Sequence, residues 1–212
     1  MVGAWQLPRA GTVENPLRIA IFISGSGSGM EALLNHQNRD ESLHKTVIVI
    51  CDKAGAEGIT KASNHGVQIE VIEVPMHAEP QQRRIMHEER IQAVLDKYAV
   101  EAVILSGYMR ILTKSFVENW LGRMLNIHPS LLPKYPGAHA HRDALADGAT
   151  EGGCTIHFVE VGVDSGPIIA QGEVPILPGD DEQSLAARVK TIEHIIYPQV
   201  LDELAKGNIK FS

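Results

Sequence analysis

Cysteine is nearly missing from this chain: only Cys51 and Cys154 occur in 212 residues. Each lies in an apolar, strand-like run, "TVIVIC" and "GGCTIHFV", where a buried reduced thiol is the expected state. Two isolated cysteines exclude a disulfide framework, and without a CxxC pair there is no signature of structural zinc. Aromatic residues make up only 5%, and no block of Lys and Arg alternates with them. That absence, with a net charge of -7, argues against a surface that tracks nucleic-acid backbone. The basic cluster in "QQRRIMHEER" (81–90) is interleaved with acids and reads as a solvated helix face. No apolar run approaches a membrane span, and the opening "MVGAWQLPRAGTVENP" has no apolar core of signal-peptide length. A reducing cytoplasm, with no membrane attachment, is the expected setting.

What is present is an ordinary globular composition, 44% hydrophobic and 21% charged, long enough for one domain with a real core. Residues 1–16 read as a poorly ordered N-terminal extension, and 17–212 as a single domain. "LRIAIFI" (17–23) is a short, almost unbroken apolar run, typical of a strand covered on both faces. Further strands are expected at 45–52, 67–74, 101–107 and in "RMLNIH". Between them fall helical patterns in "MEALLNHQ", "AEGITKASNHG" and 79–99. This alternation predicts an α/β fold with an open, mostly parallel sheet and helices on both faces. The last third departs from it. "CTIHFVEV" and "PIIAQGEVPI", separated by "GVDSG", predict a hairpin-like addition, followed by a long closing helix over 181–207 that contains Pro198.

"SGSGSG" directly follows the first strand and precedes a helix, where α/β proteins hold phosphate. A dinucleotide site is the tempting reading, because Asp52 ends the second strand. The spacing refuses it: Gly25, Gly27 and Gly29 give G-x-G-x-G, and Met30 stands where a third glycine belongs. No Lys-Ser or Lys-Thr follows, so it is not a P-loop. A single phosphate or a plain flexible turn both remain open at this point.

In an extended strand, side chains two apart share a face. Asn126 and His128 therefore lie side by side while Ile127 points into the core, and Pro129 holds His128 extended and ends the strand. Ligands of open parallel sheets bind just beyond such strand ends. An Asn amide can donate to a developing oxyanion and an imidazole can move a proton near neutral pH. No Ser or Cys sits in an elbow motif, and nothing marks Ser130 as activated, so the substrate would have to supply the nucleophile. The alternative is a hydrogen-bonded structural histidine. Asp164, in "GVDSGPII", is either a turn residue or a carboxylate that orients the imidazole. His139 and His141 lack a third ligand at metal spacing and fit a loop over the site; no metal is expected.

Five blocks carry a family resemblance: "ISGSGSGMEALL", "GYMRIL", "LNIHPSLLPKYPGAHAHRDAL", "VDSGPIIAQ" and "RVKTIEHIIYPQVL". In order, from about Leu17 to about Leu204, they resemble the phosphoribosylglycinamide formyltransferases, folate-dependent transformylases with a Rossmann-like formyltransferase fold. The resemblance implies attack of an amine of glycinamide ribonucleotide on the formyl carbon of 10-formyltetrahydrofolate, in purine biosynthesis, through a tetrahedral intermediate. It implies His128 as proton shuttle, Asn126 as oxyanion donor and Asp164 as the group holding the histidine. Gly27, Ser28, Gly29 and Glu193 match contacts to the ribonucleotide. Arg84, Met109, Arg110, Ile111, Leu112 and Asn126 match folate contacts, with Val161, Gly162, Val163 and Asp164 against the pterin. The family also has a cis peptide at the position matching Leu132-Pro133. Gly29 stands where the family often has Asn, and Arg84 lies in the least similar stretch.

The competing enzyme reading is formyltetrahydrofolate hydrolase, in which water replaces the amine. Those enzymes carry a further N-terminal regulatory domain, whereas only sixteen residues precede the first strand here. Methionyl-tRNA formyltransferases add a C-terminal RNA-binding domain and a more basic surface. A non-catalytic folate or nucleotide binder has no need of a proton shuttle. Small-molecule substrates, no nucleic acid and a monomer or homodimer are the expected partners and state.

Overall fold

The computed structural model describes residues 5–39, 41–76 and 79–210. Its element order is β1 (Leu17–Ile23), α1 (Ser28–Gln37), β2 (His44–Cys51), α2 (Glu57–Asn64), β3 (Ile69–Val71), α3 (Pro80–Lys97), β4 (Ala102–Leu105) and α4 (Lys114–Asn119). There follow β5 (Met124–His128), α5 (Ala140–Ala146), β6 (Glu151–Phe158), β7 (Ile168–Pro175) and α6 (Glu182–Ala205). All strands join one seven-stranded sheet in the order β3-β2-β1-β4-β5-β6-β7. The first five pair in parallel, and β6 and β7 are added antiparallel.

Strand β1 shows why its sequence lacks alternation. Leu17, Ile19, Ile21 and Ile23 pack against α1 and α6, while Ala20 and Phe22 pack on the opposite face against α3. Both faces are dry, so every position is apolar. Full burial of each large side chain is worth about 1.5–3 kcal/mol, so this central strand anchors both layers. The expected strand at 67–74 shortens to Ile69–Val71 because it lies at the sheet edge and pairs only with β2. Two short helices, α4 and α5, were not expected from the sequence. Helix α6 runs through Pro198 and starts from a capping box in which Asp181 accepts from Ser184 N and Ser184 Oγ accepts from Asp181 N. Both cysteines are free and buried. Among the described residues no helix is long and apolar enough to cross a membrane.

The expectation of a loose N-terminal extension is corrected over residues 5–16; residues 1–4 lie outside the described residues. Trp5 packs edge-on against Phe158 with ring centroids 5.6 Å apart, and Leu7 joins the same core cluster. Arg9 forks onto the Glu101 carboxylate at 2.6 and 2.8 Å. Gly11 donates its N–H to Ala205 O, and a Cβ there would stand 1.9 Å from Leu43 O. Apolar side chains that find buried partners, and a glycine that permits close approach, convert this tail into a strap.

Candidate active site

The parallel strands carry two cavities at their carboxyl ends. One, of about 460 Å³, is lined by the Ser24–Gly29 loop after β1, by Ser106, Gly107 and Met109 after β4, and by Ala186, Lys190, Glu193 and Tyr197 of α6. β1 and β4 are neighbours at the centre of the sheet, where the strand order reverses, the usual ligand crevice of such folds. The second cavity, of about 290 Å³, is lined by Arg110, Ile111, Leu112, Asn126, His157 and the Val161–Ser165 loop. The end of β5 separates them: Ile127 and Pro129 line the first cavity and Asn126 the second. Ile127 does face away from Asn126 and His128 as its spacing requires, packing on the core and forming cavity wall as well.

Asn126, His128 and Asp164 converge. His128 Nδ1 lies 3.2 Å from Asp164 Oδ2, and its Nε2 lies 2.9 Å from the Tyr135 carbonyl. Both ring nitrogens therefore face acceptors, and a ring carrying a proton on each nitrogen donates to both. The same Asp164 oxygen accepts from Gly137 N at 2.8 Å, tying the 133–137 loop to the cluster. Asp164 reaches this position with φ +50, a left-handed backbone that a non-glycine residue adopts at some cost. Asn126 Nδ2 donates to His157 Nε2 at 3.2 Å, and His157 Nδ1 donates to Phe158 O at 2.8 Å. That leaves the second amide hydrogen of Asn126 for a ligand in the cavity.

His157 went unnoticed in the sequence. Its signal was there: antiparallel pairing of β5 and β6 sets His157 opposite Asn126 and Thr155 opposite His128. Burial lowers the pKa of His157, which favours the neutral ring that accepts from Asn126. Thr155 Oγ1 donates to Ser130 O and accepts from Leu132 N, and Gln171 Nε2 donates to Leu132 O. The antiparallel addition thus holds the turn after His128, which contains a cis Leu132-Pro133 peptide.

The glycine loop is packed, not slack. Gly27 has φ +66 and ψ 21, and a Cβ on it would stand 2.7 Å from Gly58 Cα at the start of α2. Gly27, Ser28, Gly29 and Glu193 all line the first cavity. Along α6, positions 186, 190, 193 and 197 form one helical stripe toward it. Burial raises the Glu193 carboxyl to about 7, against the opposing pull of Lys190.

Met109 lines the first cavity rather than the second, while Arg110, Ile111, Leu112, Val161, Gly162, Val163 and Asp164 line the second. Arg84 is exposed on α3 and lines neither. The 109–113 segment is held by three polar anchors from other elements. Met109 N donates to Ser24 Oγ at 2.9 Å, and Arg110 Nε donates to Asp52 Oδ2 at 2.5 Å. The amide and hydroxyl of Thr113 both donate to Glu88. Asp52, only 2% exposed, is therefore an anchor for Arg110 and not a ribose ligand.

Two side chains that could have served as nucleophiles are disabled. Ser130 Oγ donates to the carbonyls of Lys134 and Tyr135, at 2.6 and 3.1 Å, so its proton is committed. The Cys154 thiol is fully buried and pushed up to about 12 by that burial. His141 borders the first cavity, and His139 is the N-cap of α5. A metal-like group, His36, His44 and Asp202, lies at the far end of the sheet. Gln37 and Arg39 face the two Nδ1 atoms as donors, and Thr46 N fixes the Gln37 amide by donating to its Oε1. The Nε2 protons then point at Asp202, where a metal would have to sit.

An amide with one hydrogen left over, an imidazole paired with a carboxylate and two flanking cavities, with Ser130 and Cys154 both committed elsewhere, are the parts of a group-transfer enzyme. The chain belongs to the formyl transferase family, matching it over residues 17–201, in its phosphoribosylglycinamide formyltransferase branch. It is 40% identical over 196 residues to phosphoribosylglycinamide formyltransferase of Escherichia coli, covering 92% of this chain and 90% of that one. It is 42% identical over 193 residues to the human trifunctional purine biosynthetic protein adenosine-3. There it covers 91% of this chain but spans only 19% of the relative's length. The crystal structure of the enzyme from Brucella melitensis superposes with a TM-score of 0.84 at 42% identity, covering 93% of this chain and 100% of that one.

Proposed function

We propose that this enzyme moves the formyl group of 10-formyltetrahydrofolate to the amine of glycinamide ribonucleotide, a step of purine biosynthesis in a reducing cytoplasm. The observation that carries the reading is the Asn126–His128–Asp164 cluster at a strand end between two cavities, with Ser130 and Cys154 both unable to attack. The ribonucleotide occupies the first cavity, its phosphate on the N–H groups of Gly27, Ser28 and Gly29 at the start of α1 and its body near Glu193. The formyl-bearing pterin end of the folate enters the second, between Ile111, Leu112, Val161 and Val163, whose apolar walls fit a flat heterocycle.

The amine nitrogen attacks the formyl carbon, and the carbonyl oxygen becomes an oxyanion that accepts from Asn126 Nδ2. The attacking nitrogen loses a proton, the folate nitrogen gains one, and the bond between the formyl carbon and that nitrogen breaks. His128 carries the proton, and Asp164 stabilises the imidazolium formed on the way. The Tyr135 carbonyl on His128 Nε2 is the contact that the reacting groups displace. Asn126→Ala should lower kcat by about 10²- to 10³-fold, the scale of one lost oxyanion donor. Tetrahydrofolate release measured with the ribonucleotide present should show that loss; near-normal turnover in the variant would remove Asn126 from this role. The hydrolase reading fits less well, because the relatives that this chain matches along nearly their whole length carry the transferase name.

A further inference from the structure

Gly29 is not a glycine for the sake of its backbone. It is the second residue of α1, and only space distinguishes its position. An ideal Cβ on Gly29 would stand 2.5 Å from Ser106 Oγ and 3.9 Å from Ser106 Cβ, with no other neighbour within 4 Å. The first distance is shorter than real Cβ contacts allow, so the glycine leaves room for one atom, the serine oxygen.

Ser106 directly follows β4, and its N–H donates to Phe22 O at 3.0 Å, so the sheet fixes where it stands. The residue is 8% exposed. Its hydroxyl makes no hydrogen bond to any described residue, although both Ser106 and Gly29 line the first cavity. The oxygen is not sealed from water but opens on the cavity, so a ligand seated there meets a hydroxyl whose proton no protein acceptor has taken. The first N–H groups of α1 open on the same cavity without intrahelical acceptors and carry the positive end of the helix dipole. Lys53 and Lys190 add positive charge to its lining.

We propose that the Ser106 hydroxyl is a substrate ligand, donating to a phosphate oxygen of the ribonucleotide at the N-terminus of α1, and that Gly29 is small to give it room. The inference rests on the reading of the first cavity as the ribonucleotide site. It makes β4 a contributor to phosphate recognition at the point where β1 and β4 part.

The test is steady-state kinetics on the full chain with Ser106→Ala, Gly29→Asn and the double variant, together with titration by inorganic phosphate. For Ser106→Ala the KM for the ribonucleotide rises about tenfold, as for loss of a hydrogen bond to a charged group, while kcat and the KM for the formyl donor stay within about twofold. Phosphate binds more weakly by a similar factor. Gly29→Asn alone also weakens ribonucleotide binding, because its Cβ meets the serine oxygen. In the double variant the incoming amide occupies the freed space as a donor and brings the KM back to within about threefold of the parent. An unchanged ribonucleotide KM in Ser106→Ala, with the parent active, overturns the inference. So does a joint fall in kcat and melting temperature with both KM values raised, which marks a structural serine. If the parent transfers no formyl group to the ribonucleotide, the reading of the cavity fails. Phosphate titration then decides the ligand role on its own, with equal binding to parent and Ser106→Ala refuting it.

Discussion

Asp164→Asn isolates a single charge. In the parent, one oxygen, Oδ2, accepts from both His128 Nδ1 at 3.2 Å and Gly137 N at 2.8 Å. An amide oxygen can take that place and keep both bonds. The amide nitrogen then falls where Oδ1 lies, 3.7 Å from His157 Nε2, a ring nitrogen already set as an acceptor. Shape and hydrogen bonding survive, and only the attraction between carboxylate and imidazolium is lost. At 3.2 Å that attraction is about 5 kcal/mol with an effective dielectric of 20. The side chains are 5% and 12% exposed, so solvent screens it only in part. If the imidazolium forms during the transfer, kcat should fall by about 10²- to 10³-fold, with both KM values within about threefold. Asp164→Ala should do worse, because it also frees the 133–137 loop from its Gly137 anchor. Initial rates of tetrahydrofolate formation at saturating substrates, with thermal melts as a folding control, measure this. A kcat within threefold of the parent in a well-folded Asp164→Asn protein would refute the proton-carrying role of His128.

Asp52→Asn removes the buried charge that holds Arg110, so the KM for the formyl donor should rise roughly tenfold with the ribonucleotide KM unchanged; saturation curves for each substrate separate the two. Glu193 is raised to about 7, so if its ionised form accepts from the ribonucleotide, kcat/KM for that substrate climbs as pH passes through about 7. In Glu193→Gln that limb should vanish. Burial also lowers the pKa of His44, His87 and His157. Below their unfolded pKa of about 6.5 the unfolded chain binds more protons, so stability is lost as pH falls. Glu193 acts in the opposite sense, favouring the fold below about 7, so the clean test is urea denaturation of Glu193→Gln at pH 7 and pH 5, with the lower midpoint at pH 5. Trp5→Ala should cost about 2 kcal/mol, less than a fully buried Trp, and leave both KM values unchanged; a melt and a kinetic assay check the two halves.

Much of this was legible because local rules governed it. The unbroken apolar run at 17–23 could only be a strand covered on both sides, and the period of two put Asn126 and His128 on one face before any neighbour was known. Other features depend on distant partners. Trp5 is ordinary surface in the sequence until Phe158, far along the chain, arrives beside it. His157 gains meaning only from the β5–β6 register, which places it against Asn126. The glycine spacing already refused Asp52 a dinucleotide role, but its actual partner, Arg110, lies 58 residues along the chain and could not be read from its place at the end of β2. Arg84 was placed by resemblance in a weakly similar stretch, and the fold leaves it exposed on α3. Ser106 and Gly29 belong to different strand ends, and only the pairing of β1 with β4 brings them into contact.

The most direct measurement follows the formyl carbon itself. With 10-formyltetrahydrofolate labelled at that carbon, the label should appear on the ribonucleotide amine in step with tetrahydrofolate release, and omitting the ribonucleotide should nearly abolish turnover. Label released as formate at the same rate with or without the amine would contradict the account and make water the nucleophile.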